Sequence, residues 1–275
     1  MKNFTNKVAA ITGAGSGMGR SLALLLASRG CNVALSDINA AALDEAAQLA
    51  KRYQVRVTTH RLDVADKDAV FAWADQVAAE HGKVNLIFNN AGVALGSPID
   101  GGSYRDLEWV MNINFWGVVH GTKAFLPHLK KSGEGHIVNT SSMFGLFAVP
   151  SQSGYNASKF AVRGFTEALR QELELQRVNV SATCVHPGVI NTGIAHAARM
   201  APELRTLGMK ADAISHFNRV PKISSDQAAE IIIRAVQSNK RRVLVGSDAR
   251  LMDFLVRLMP ARYQSLTTFG TRRFQ

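Results

Sequence analysis

Cysteine is scarce in this chain, whose 275 residues include only Cys31 and Cys184, each within or beside an apolar run. Thiols placed this way predict buried, free cysteines in a reducing cytoplasm rather than a disulfide or a redox pair. Long apolar runs are also lacking, since none approaches the ~20 residues of a membrane span. The N-terminal Met1–Lys7 leads directly into a strand-like run, which predicts that no signal peptide is present. These absences favour a cytoplasmic protein.

Metal-ligand clusters, sequence repeats and low-complexity tracts are lacking as well. No grouping of histidine and cysteine suggests a metal site, so we expect no metal. No convincing linker divides the chain. Its 47% hydrophobic and 19% charged residues are typical of an ordinary globular protein. A chain of this length can bury a sizeable core, and we expect a single domain.

Acidic residues are few relative to basic ones, which gives a formal net charge of +11 and a pI near 10.0. From Lys240 to the C terminus, eight lysines and arginines stand against two aspartates, so over half of the excess lies in the last 36 residues. Three interpretations remain open: attraction to an anionic partner or substrate, contact with an anionic membrane surface, and solubility alone. No DNA- or RNA-binding motif accompanies the charge, so specific nucleic-acid binding is not expected.

The chain begins with a predicted strand, a glycine-rich loop and a helix. Val8–Ile11 is a short apolar run, Thr12–Gly19 is the glycine-rich segment, and Ser21–Ala27 is rich in helix formers and is stopped by Gly30. The glycine spacing is G-x-x-x-G-x-G, which differs from the usual dinucleotide fingerprint G-x-G-x-x-G. Glycines here let the backbone approach a pyrophosphate, and the helix N terminus offers unpaired N–H groups to it.

A carboxylate follows the second predicted strand. That strand is Asn32–Ser36, and Asp37 stands at its C-terminal end. A carboxylate about 20 residues past the glycines can accept hydrogen bonds from an adenosine ribose, and it would repel a 2′-phosphate.

Strands and helices continue to alternate along the chain. Further strands are predicted at 55–60, 84–88, 136–139 and 178–185, and helices at 40–52, 66–80, 104–126 and 155–176, with Asp66 as the N-cap of the second of these. Strands separated by helices predict an α/β fold with a doubly wound parallel sheet, flanked by helices and connected by right-handed crossovers.

Tyr155 and Lys159 are spaced i,i+4, so on a helix the phenol and the ammonium share one face. An isolated pair of this kind is usually a solvated surface pair. Ligands of a doubly wound sheet, however, bind beyond the C-terminal ends of its strands. The glycine loop, Asp37, Asp63, 89–92, Ser142 and 186–188 all follow predicted strands, and Tyr155 begins a helix at that same edge. This convergence favours chemistry over a surface pair.

Taken together, these motifs resemble the short-chain dehydrogenase/reductase family, in its single-domain Rossmann-fold branch, from about residue 5 to about residue 245. The motifs are Thr12–Gly19, Asp63-Val64, Asn89–Gly92, Asn114 in Asn-Phe-Trp-Gly117, Ser142, Tyr155-Asn-Ala-Ser-Lys159, and Pro187-Gly188 followed by Thr192. The resemblance implies that the protein interconverts an alcohol and a ketone or aldehyde by hydride transfer. The other functional class considered is a cofactor-bound regulator or scaffold without catalysis.

The resemblance assigns catalysis to four residues. Tyr155 would be the acid/base, and Lys159 would lower the pKa of its phenol, helped by the positive charge of the oxidised nicotinamide. Ser142 would hydrogen-bond the substrate oxygen. Asn114 would hold a water that links Lys159 to solvent; its spacing before Gly117 selects it over Asn112.

NAD is the expected cofactor, with NADP as the alternative. The family's NADP enzymes usually carry a basic residue beside the glycines or after the second strand, where this chain has Ser16 and Ile38; Arg20 is expected to face away along the helix. The implied cofactor contacts are Thr12, Gly13, Gly15, Ser16, Gly17, Met18, Gly19, Asp37, Ile38, Asp63, Val64, Asn90, Ala91, Gly92, Tyr155, Lys159, Pro187, Gly188, Val189 and Thr192.

Two structural alternatives remain open: Asp63 as a helix cap, and Asn89–Gly92 as a brace of the sheet. His186 is expected only to pack.

A lipophilic substrate is expected, because the segment Met143–Pro150 is apolar and the family lines its pocket there. Ser142, Phe144, Val149 and Tyr155 are the expected substrate contacts. The region 190–222 resembles a helical substrate lid, and its arginines and lysines could meet a remote anionic group of the substrate.

The expected domain covers 1–248, followed by a basic amphipathic extension at 249–275. Arg250, Asp253 and Arg257 fall on one narrow stripe of a predicted helix and leave a broad apolar face. Packing against its own or another subunit and peripheral contact with a membrane are the alternatives for that face. The resemblance also implies a homodimer or homotetramer that uses the Tyr155 helix and the 104–126 helix.

Overall fold

The computed structural model describes residues 1–194, 197–208 and 223–272. The strands are β1 (Val8–Thr12), β2 (Asn32–Asp37), β3 (Val57–Arg61), β4 (Leu86–Asn89), β5 (Leu95–Gly96), β6 (Gly135–Thr140), β7 (Val180–Pro187), β8 (Arg199–Met200) and β9 (Arg242–Val245). The helices are α1 (Gly17–Ser28), α2 (Ala40–Lys51), α3 (Lys67–His81), α4 (Tyr104–Met111), α5 (Gly117–Lys131), α6 (Ser153–Leu175), α7 (Ser225–Gln237), α8 (Ser247–Leu258) and α9 (Tyr263–Arg272).

Seven strands form one parallel sheet in the order β3-β2-β1-β4-β6-β7-β9, and β5 pairs with β8 in a separate two-stranded sheet. The chain adds β2 and β3 on one side of β1 and then returns to add β4 on the other side. The strand order therefore reverses between β1 and β4, and a crevice opens beyond their C-terminal ends. The predicted doubly wound parallel sheet, flanked by helices in a single domain, is confirmed.

Helices cover both faces of the sheet because successive strand residues point to opposite faces. In β1, Ile11 joins the cluster that contains Leu26 of α1, whereas Ala10 joins the cluster on the other face. On that second face Trp73 of α3 meets Phe125 of α5 edge to face, with ring centroids 5.0 Å apart. Burying a side chain of this size contributes about 1.5–3 kcal/mol, so these two clusters carry much of the stability.

Side-chain caps fix where several helices begin. Asn39, Asp66, Ser103 and Ser224 each accept a hydrogen bond from a backbone N–H in the first turn of the following helix. Such caps satisfy N–H groups that have no partner within the helix. The predicted N-cap role of Asp66 is confirmed.

Several boundaries differ from the predicted ones. The fifth predicted strand, 136–139, is longer at both ends, and the sixth begins at Val180 and continues through Pro187. The predicted helix 104–126 extends to Lys131 and contains a π-helical turn at Asn112–Trp116. The last strand, β9, and the two-residue strands β5 and β8 were not predicted. They are too short to show the alternation of apolar and polar residues that marks a strand in a sequence.

The lid prediction is tested only in part. In the described part of 190–222, the structure has the short strand β8, which pairs with β5, and a 3-10 turn at Pro202–Leu207. The expected helix is not found there. The predicted lid residues Met209, Lys210, Ile214, Phe217, Arg219 and Lys222 lie outside the described residues.

The C-terminal extension packs back on its own chain. Met252 and Val256 of α8 and Tyr263 at the start of α9 join the apolar cluster of Leu146 and Phe147. Part of the predicted apolar face therefore packs within the subunit. Across the described ranges, no helix is long and apolar enough to cross a bilayer.

Gly121 of α5 lies directly against the sheet, and a methyl group there would overlap Oδ1 of Asn89. That amide cannot move aside, because its Nδ2 donates to Asn139 (2.8 Å) and Thr122 (3.1 Å). We expect Gly121→Ala to lower the free energy of unfolding by about 1–3 kcal/mol, the usual cost of overpacking. Gly164 of α6 has open space around it, and Gly164→Ala should raise stability by about 0.5–1 kcal/mol. Urea unfolding measures both; equal effects of the two variants would contradict the packing argument.

Candidate active site

The glycine loop between β1 and α1 forms an open anion site. Gly13 and Gly17 have positive φ values of 64° and 51°, which only glycine adopts freely. Ser16 precedes α1 but makes no side-chain cap hydrogen bond to its first turn. The N–H groups of that turn, from Gly17 onward, therefore remain available to an anionic group such as a pyrophosphate.

Asp37 is held at the C-terminal end of β2 by two backbone N–H groups. Gly15 N donates to Oδ2 (2.9 Å), and Asn39 N donates to Oδ1 (2.9 Å). Each carboxylate oxygen keeps a further lone pair, so the group can still accept hydrogen bonds from a ribose diol. The arrangement places the carboxylate beside the glycine loop, as the spacing predicted.

Two arginines approach this end of the crevice. Arg20 was expected to face away along α1, but its guanidinium turns back to the loop, donates to Gly15 O (2.6 and 2.9 Å) and pairs with Glu45 (3.1 Å). The prediction was wrong because the loop carbonyl and the carboxylate of α2 together offer a better partner than solvent. Arg61 of β3 donates to Ile38 O (3.3 Å), and the Ile38 side chain is exposed.

Asp63 and Val64 follow β3. Asp63 is exposed and accepts from Ala65 N (2.9 Å), closing its own turn, whereas the cap of α3 is Asp66. The helix-cap alternative for Asp63 is therefore not observed. Val64 is buried against Gly117 of α5, where a methyl group would come within 2.7 Å of it.

Thr12 and Asn90 join the ends of β1 and β4. The Thr12 hydroxyl accepts from Asn90 N and Ala91 N, both at 3.0 Å, and Asn90 Nδ2 donates to Thr12 O (3.2 Å). Asn90 Oδ1 is buried without a partner. Asn89 braces the sheet, as one alternative for 89–92 predicted, whereas Asn90 and Gly92 line a cavity and their contact with a cofactor stays a prediction.

The C-terminal end of β6 supports Lys159 at two points and presents Ser142. Thr140 O accepts from Lys159 Nζ (3.1 Å), and the Ser141 hydroxyl donates to Lys159 O (2.7 Å). The Ser142 hydroxyl accepts from Phe144 N (3.1 Å). His186 of β7 donates from Nδ1 to Ser142 O (2.9 Å), and burial lowers its pKa to about 4, so the imidazole stays neutral.

Tyr155 and Lys159 share one face of α6, with Lys159 Nζ 5.7 Å from the centre of the phenol ring. Burial lowers the pKa of Lys159 to about 8. Burial raises the pKa of Tyr155, and a hydrogen bond with the Ser142 side chain only partly opposes this. The expected lowering of the phenol pKa is therefore not found, because desolvation outweighs the hydrogen bond with Ser142.

Asn114 lies in the π-helical turn between α4 and α5 and is fully buried. Its Oδ1 accepts from Val93 N (2.8 Å), and its Nδ2 donates to Val93 O (3.0 Å) and to Ser158 Oγ (3.1 Å). Gly92 passes so close that a methyl group there would lie 3.1 Å from Asn114 Oδ1 and 3.4 Å from Lys159 Nζ. Asn112, the other candidate, comes two residues earlier and is exposed. Asn114 is therefore the one that faces the site.

These groups surround a cavity of about 210 Å³ beyond the strand ends. Of the predicted site residues, those that line it are Met18, Asn90, Gly92, Ser142, Phe144, Tyr155, Lys159, Pro187, Gly188, Val189 and Thr192. Phe144 meets the Tyr155 ring edge to face at 6.2 Å. Val149 does not line the cavity; it packs instead against the apolar cluster of Leu146, Phe147 and Tyr263.

The lid strand β8 places Met200 in the cavity and Arg199 outside it. Arg199 stacks on Trp109 of α4, with Cζ 3.7 Å from the ring centre, and pairs with Asp106 (3.1 Å). This arginine therefore cannot meet an anionic group of the substrate as predicted, because α4 already engages its charge. Met200 packs so closely on Gly96 of β5 that a methyl group there would come within 2.7 Å of its sulfur.

Two residues of the C-terminal helices support the site and were missed by sequence reasoning. Asp248, in the first turn of α8, accepts from Val189 N (2.6 Å) through Oδ2 and lies against Gly188. The Tyr263 hydroxyl accepts from Ala148 N (3.3 Å). Asp248 was missed because β9, which ends three residues before it at Val245, was not predicted; nothing local marks Tyr263.

Comparison with known proteins gives consistent matches. A sequence profile described as short chain dehydrogenase matches residues 7–203. SadH of Mycobacterium tuberculosis is 47% identical over 100% of this chain and 98% of its own length. Human estradiol 17-beta-dehydrogenase 11 is 30% identical over 95% of this chain and 82% of its own.

Among solved structures, a short-chain dehydrogenase/reductase from Burkholderia phymatum in complex with NAD is similar. Its TM-score is 0.88 at 32% identity, covering 96% of this chain and 97% of that one. The chain therefore belongs to the short-chain dehydrogenase/reductase family of oxidoreductases. The open first turn of α1 and the unpartnered Asn90 Oδ1 fit a nicotinamide dinucleotide in the crevice.

Asp248 tests how α8 supports that crevice. We expect Asp248→Ala to free the loop at Val189 and to weaken NADH binding about tenfold, the lower range for losing a hydrogen bond to a charged group. Asp253→Ala is the matched control, because Asp253 pairs with Arg242 and Arg257, away from the loop. Fluorescence titration with NADH measures both; equal Kd values for wild type and Asp248→Ala would contradict the role.

Proposed function

We propose that this protein is an NAD-dependent oxidoreductase that interconverts a lipophilic alcohol and its ketone or aldehyde, with Tyr155 as acid/base. The observation that carries the proposal is the convergence of Ser142, Tyr155 and Lys159 on one cavity at the sheet edge where a dinucleotide fits. Asn114 lies next to the same site, because Gly92, which lines the cavity, passes close to its Oδ1 and to Lys159 Nζ.

Nicotinamide supplies the hydride when the cofactor is bound. In reduction, the Tyr155 phenol donates its proton to the carbonyl oxygen as that oxygen gains negative charge. The phenol, whose pKa burial raises, is protonated at neutral pH and therefore holds the proton that reduction requires. Ser142 donates a hydrogen bond to the same oxygen and stabilises the developing charge. In oxidation, the proton returns to Tyr155 by the reverse path.

Lys159 lies on the same helix face as Tyr155 and supports proton transfer to and from the phenol. With a pKa near 8, its ammonium can release and regain a proton close to neutral pH. We propose that it also hydrogen-bonds the nicotinamide ribose, and that the π-helical turn at Asn114 holds a water that links it to solvent. Widened turns of this kind often occur at functional sites.

The cofactor contacts proposed are the full set expected from the sequence, with NAD preferred over NADP. Asp37 carries the preference, because its carboxylate faces the ribose end of the crevice and repels a 2′-phosphate. The similar Burkholderia phymatum structure holds NAD. Arg20 and Arg61 stand nearby, but the first is already paired with Glu45 and the second contacts Ile38 O.

A lipophilic substrate suits the distal part of the cavity. The residues beyond Ser142 and Tyr155 include Leu95, Met143, Phe144, Ile190, Ile194 and Met200. Their apolar surface favours hydrocarbon groups over hydroxyls, since a buried hydroxyl without a partner is costly. The human relative is named for estradiol, itself a lipophilic secondary alcohol.

A homodimer or homotetramer in the cytoplasm completes the proposal. Trp116 and Phe160 are 46% and 39% exposed on the π-helical turn and α6, the helices expected at the subunit interface. Cys31 and Cys184 are buried free thiols whose pKa values burial raises to about 12, so they suit a reducing compartment.

The decisive assay measures turnover of NADH with a panel of medium-chain and polycyclic ketones and aldehydes, beside sugars and small polyols with NAD. We expect turnover on the lipophilic members, and Tyr155→Phe should lower kcat by about 10²–10⁴-fold while NADH still binds, because only the proton donor is lost. Tyr53→Phe, at an exposed tyrosine, is the control. NADH binding without turnover by the wild type would instead identify a catalytically silent cofactor-binding protein.

Cofactor preference is tested at Asp37. We expect Asp37→Ser to lower kcat/KM with NADH by about tenfold or more, consistent with loss of hydrogen bonds between a charged group and the ribose, and to improve kcat/KM with NADPH. Asp44→Ser removes the same charge from the exposed side of α2 and should change neither value. An unchanged NADH/NADPH ratio in Asp37→Ser would overturn the assignment.

A further inference from the structure

The two C-terminal helices leave large apolar side chains in solvent. Leu251, Phe254 and Leu258 of α8 are 58%, 61% and 67% exposed, and Leu266 of α9 is 54% exposed. The first three recur at i, i+3 and i+7, so they form one stripe along the helix. We call these four residues the tail surface.

Arginines surround the tail surface, and free carboxylates do not. Arg250, Arg257, Arg262 and Arg272 are all exposed. Within the described stretch 249–272 the single carboxylate is Asp253, whose side chain is only 14% exposed and pairs with Arg242 (3.1 Å) and Arg257 (3.0 Å). The surface is therefore apolar at its centre and basic around it.

This charge pattern selects between two occupants. In a two-fold interface each patch meets its own copy, so these arginines would face identical arginines with no free carboxylate among them. An anionic bilayer offers the complementary chemistry, since its headgroups attract arginine and its acyl boundary takes up leucine and phenylalanine. Charge complementarity thus favours a lipid surface over a second copy of this chain.

The opposite side of these helices supports the substrate pocket. Phe147 meets Tyr263 of α9 edge to face at 6.2 Å and meets Phe144 at 5.3 Å. Phe144 and Met143 line the cavity. A row of packed aromatic side chains, Phe144, Phe147 and Tyr263, therefore links the cavity wall to the helices that carry the tail surface.

We propose that the tail surface docks the protein on anionic lipid bilayers and that the substrate is a lipophilic alcohol or ketone dissolved in that bilayer. The second part rests on the proposed function. The four apolar side chains enter the headgroup boundary, the arginines contact lipid phosphates, and the cavity is held next to the membrane where such substrates concentrate.

Vesicle co-sedimentation tests the docking. The wild-type protein should bind vesicles of phosphatidylcholine with 30% phosphatidylglycerol at least tenfold more tightly than pure phosphatidylcholine, and the binding should weaken with added salt. The triple variant Leu251→Ser/Phe254→Ser/Leu258→Ser should lose at least tenfold in affinity. Leu175→Ser, at an 83% exposed leucine on α6, should bind as the wild type does. Thermal unfolding confirms that each variant is folded.

Two further readouts separate the alternatives. If the triple variant keeps its vesicle affinity but has a lower molar mass by light scattering, the surface is a subunit interface and the proposal is overturned. The triple variant should retain turnover on a short water-soluble ketone, but should lose the gain in rate that vesicles give with a membrane-dissolved one. Vesicle binding without turnover on any substrate would sustain the docking surface and remove the proposed function.

Discussion

The site depends on one buried charge, the ammonium of Lys159. Taking an ammonium out of water is unfavourable, and the lowered pKa of this lysine, about 8, expresses that cost. The C-terminal end of β6 holds both the side chain and the backbone of Lys159. Thr140 O accepts a hydrogen bond from Lys159 Nζ, and the Ser141 hydroxyl donates one to the backbone carbonyl of Lys159. The next residue along is Ser142. Three consecutive residues therefore place the lysine, anchor its helix and present a hydroxyl to the cavity.

Much of this arrangement could be predicted from the sequence because parallel strands impose it. Their C-terminal ends meet at one edge, so residues that follow different strands become neighbours without any contact needing to be foreseen. The position of Asp37 beside the glycine loop and the shared helix face of Tyr155 and Lys159 follow from spacing, whereas the choice of Asn114 over Asn112 came from the resemblance to the family.

What sequence could not supply depends on long-range packing. The pKa of Tyr155 is set by desolvation, which depends on everything that surrounds the ring and not on the nearby lysine alone. Arg20 and Arg199 were misplaced for a related reason, because each is drawn to a carboxylate on a different element, Glu45 or Asp106. Val149 packs against a cluster that includes Tyr263, which lies more than one hundred residues later in the chain, and it is not part of the cavity lining.

The stacking of Arg199 on Trp109 has a consequence for how the protein can be observed. The guanidinium lies 3.7 Å from the centre of the indole ring and belongs to the same short strand as Met200 in the cavity wall. Any displacement of that strand changes the polarity and the contact quenching experienced by the indole. The chain thus carries an intrinsic optical reporter next to the strand that contributes Met200 to the cavity wall. Of the other two tryptophans, Trp73 is buried in the core and Trp116 is exposed, so Trp116→Phe would leave Trp109 as the indole that dissolved quenchers reach more readily.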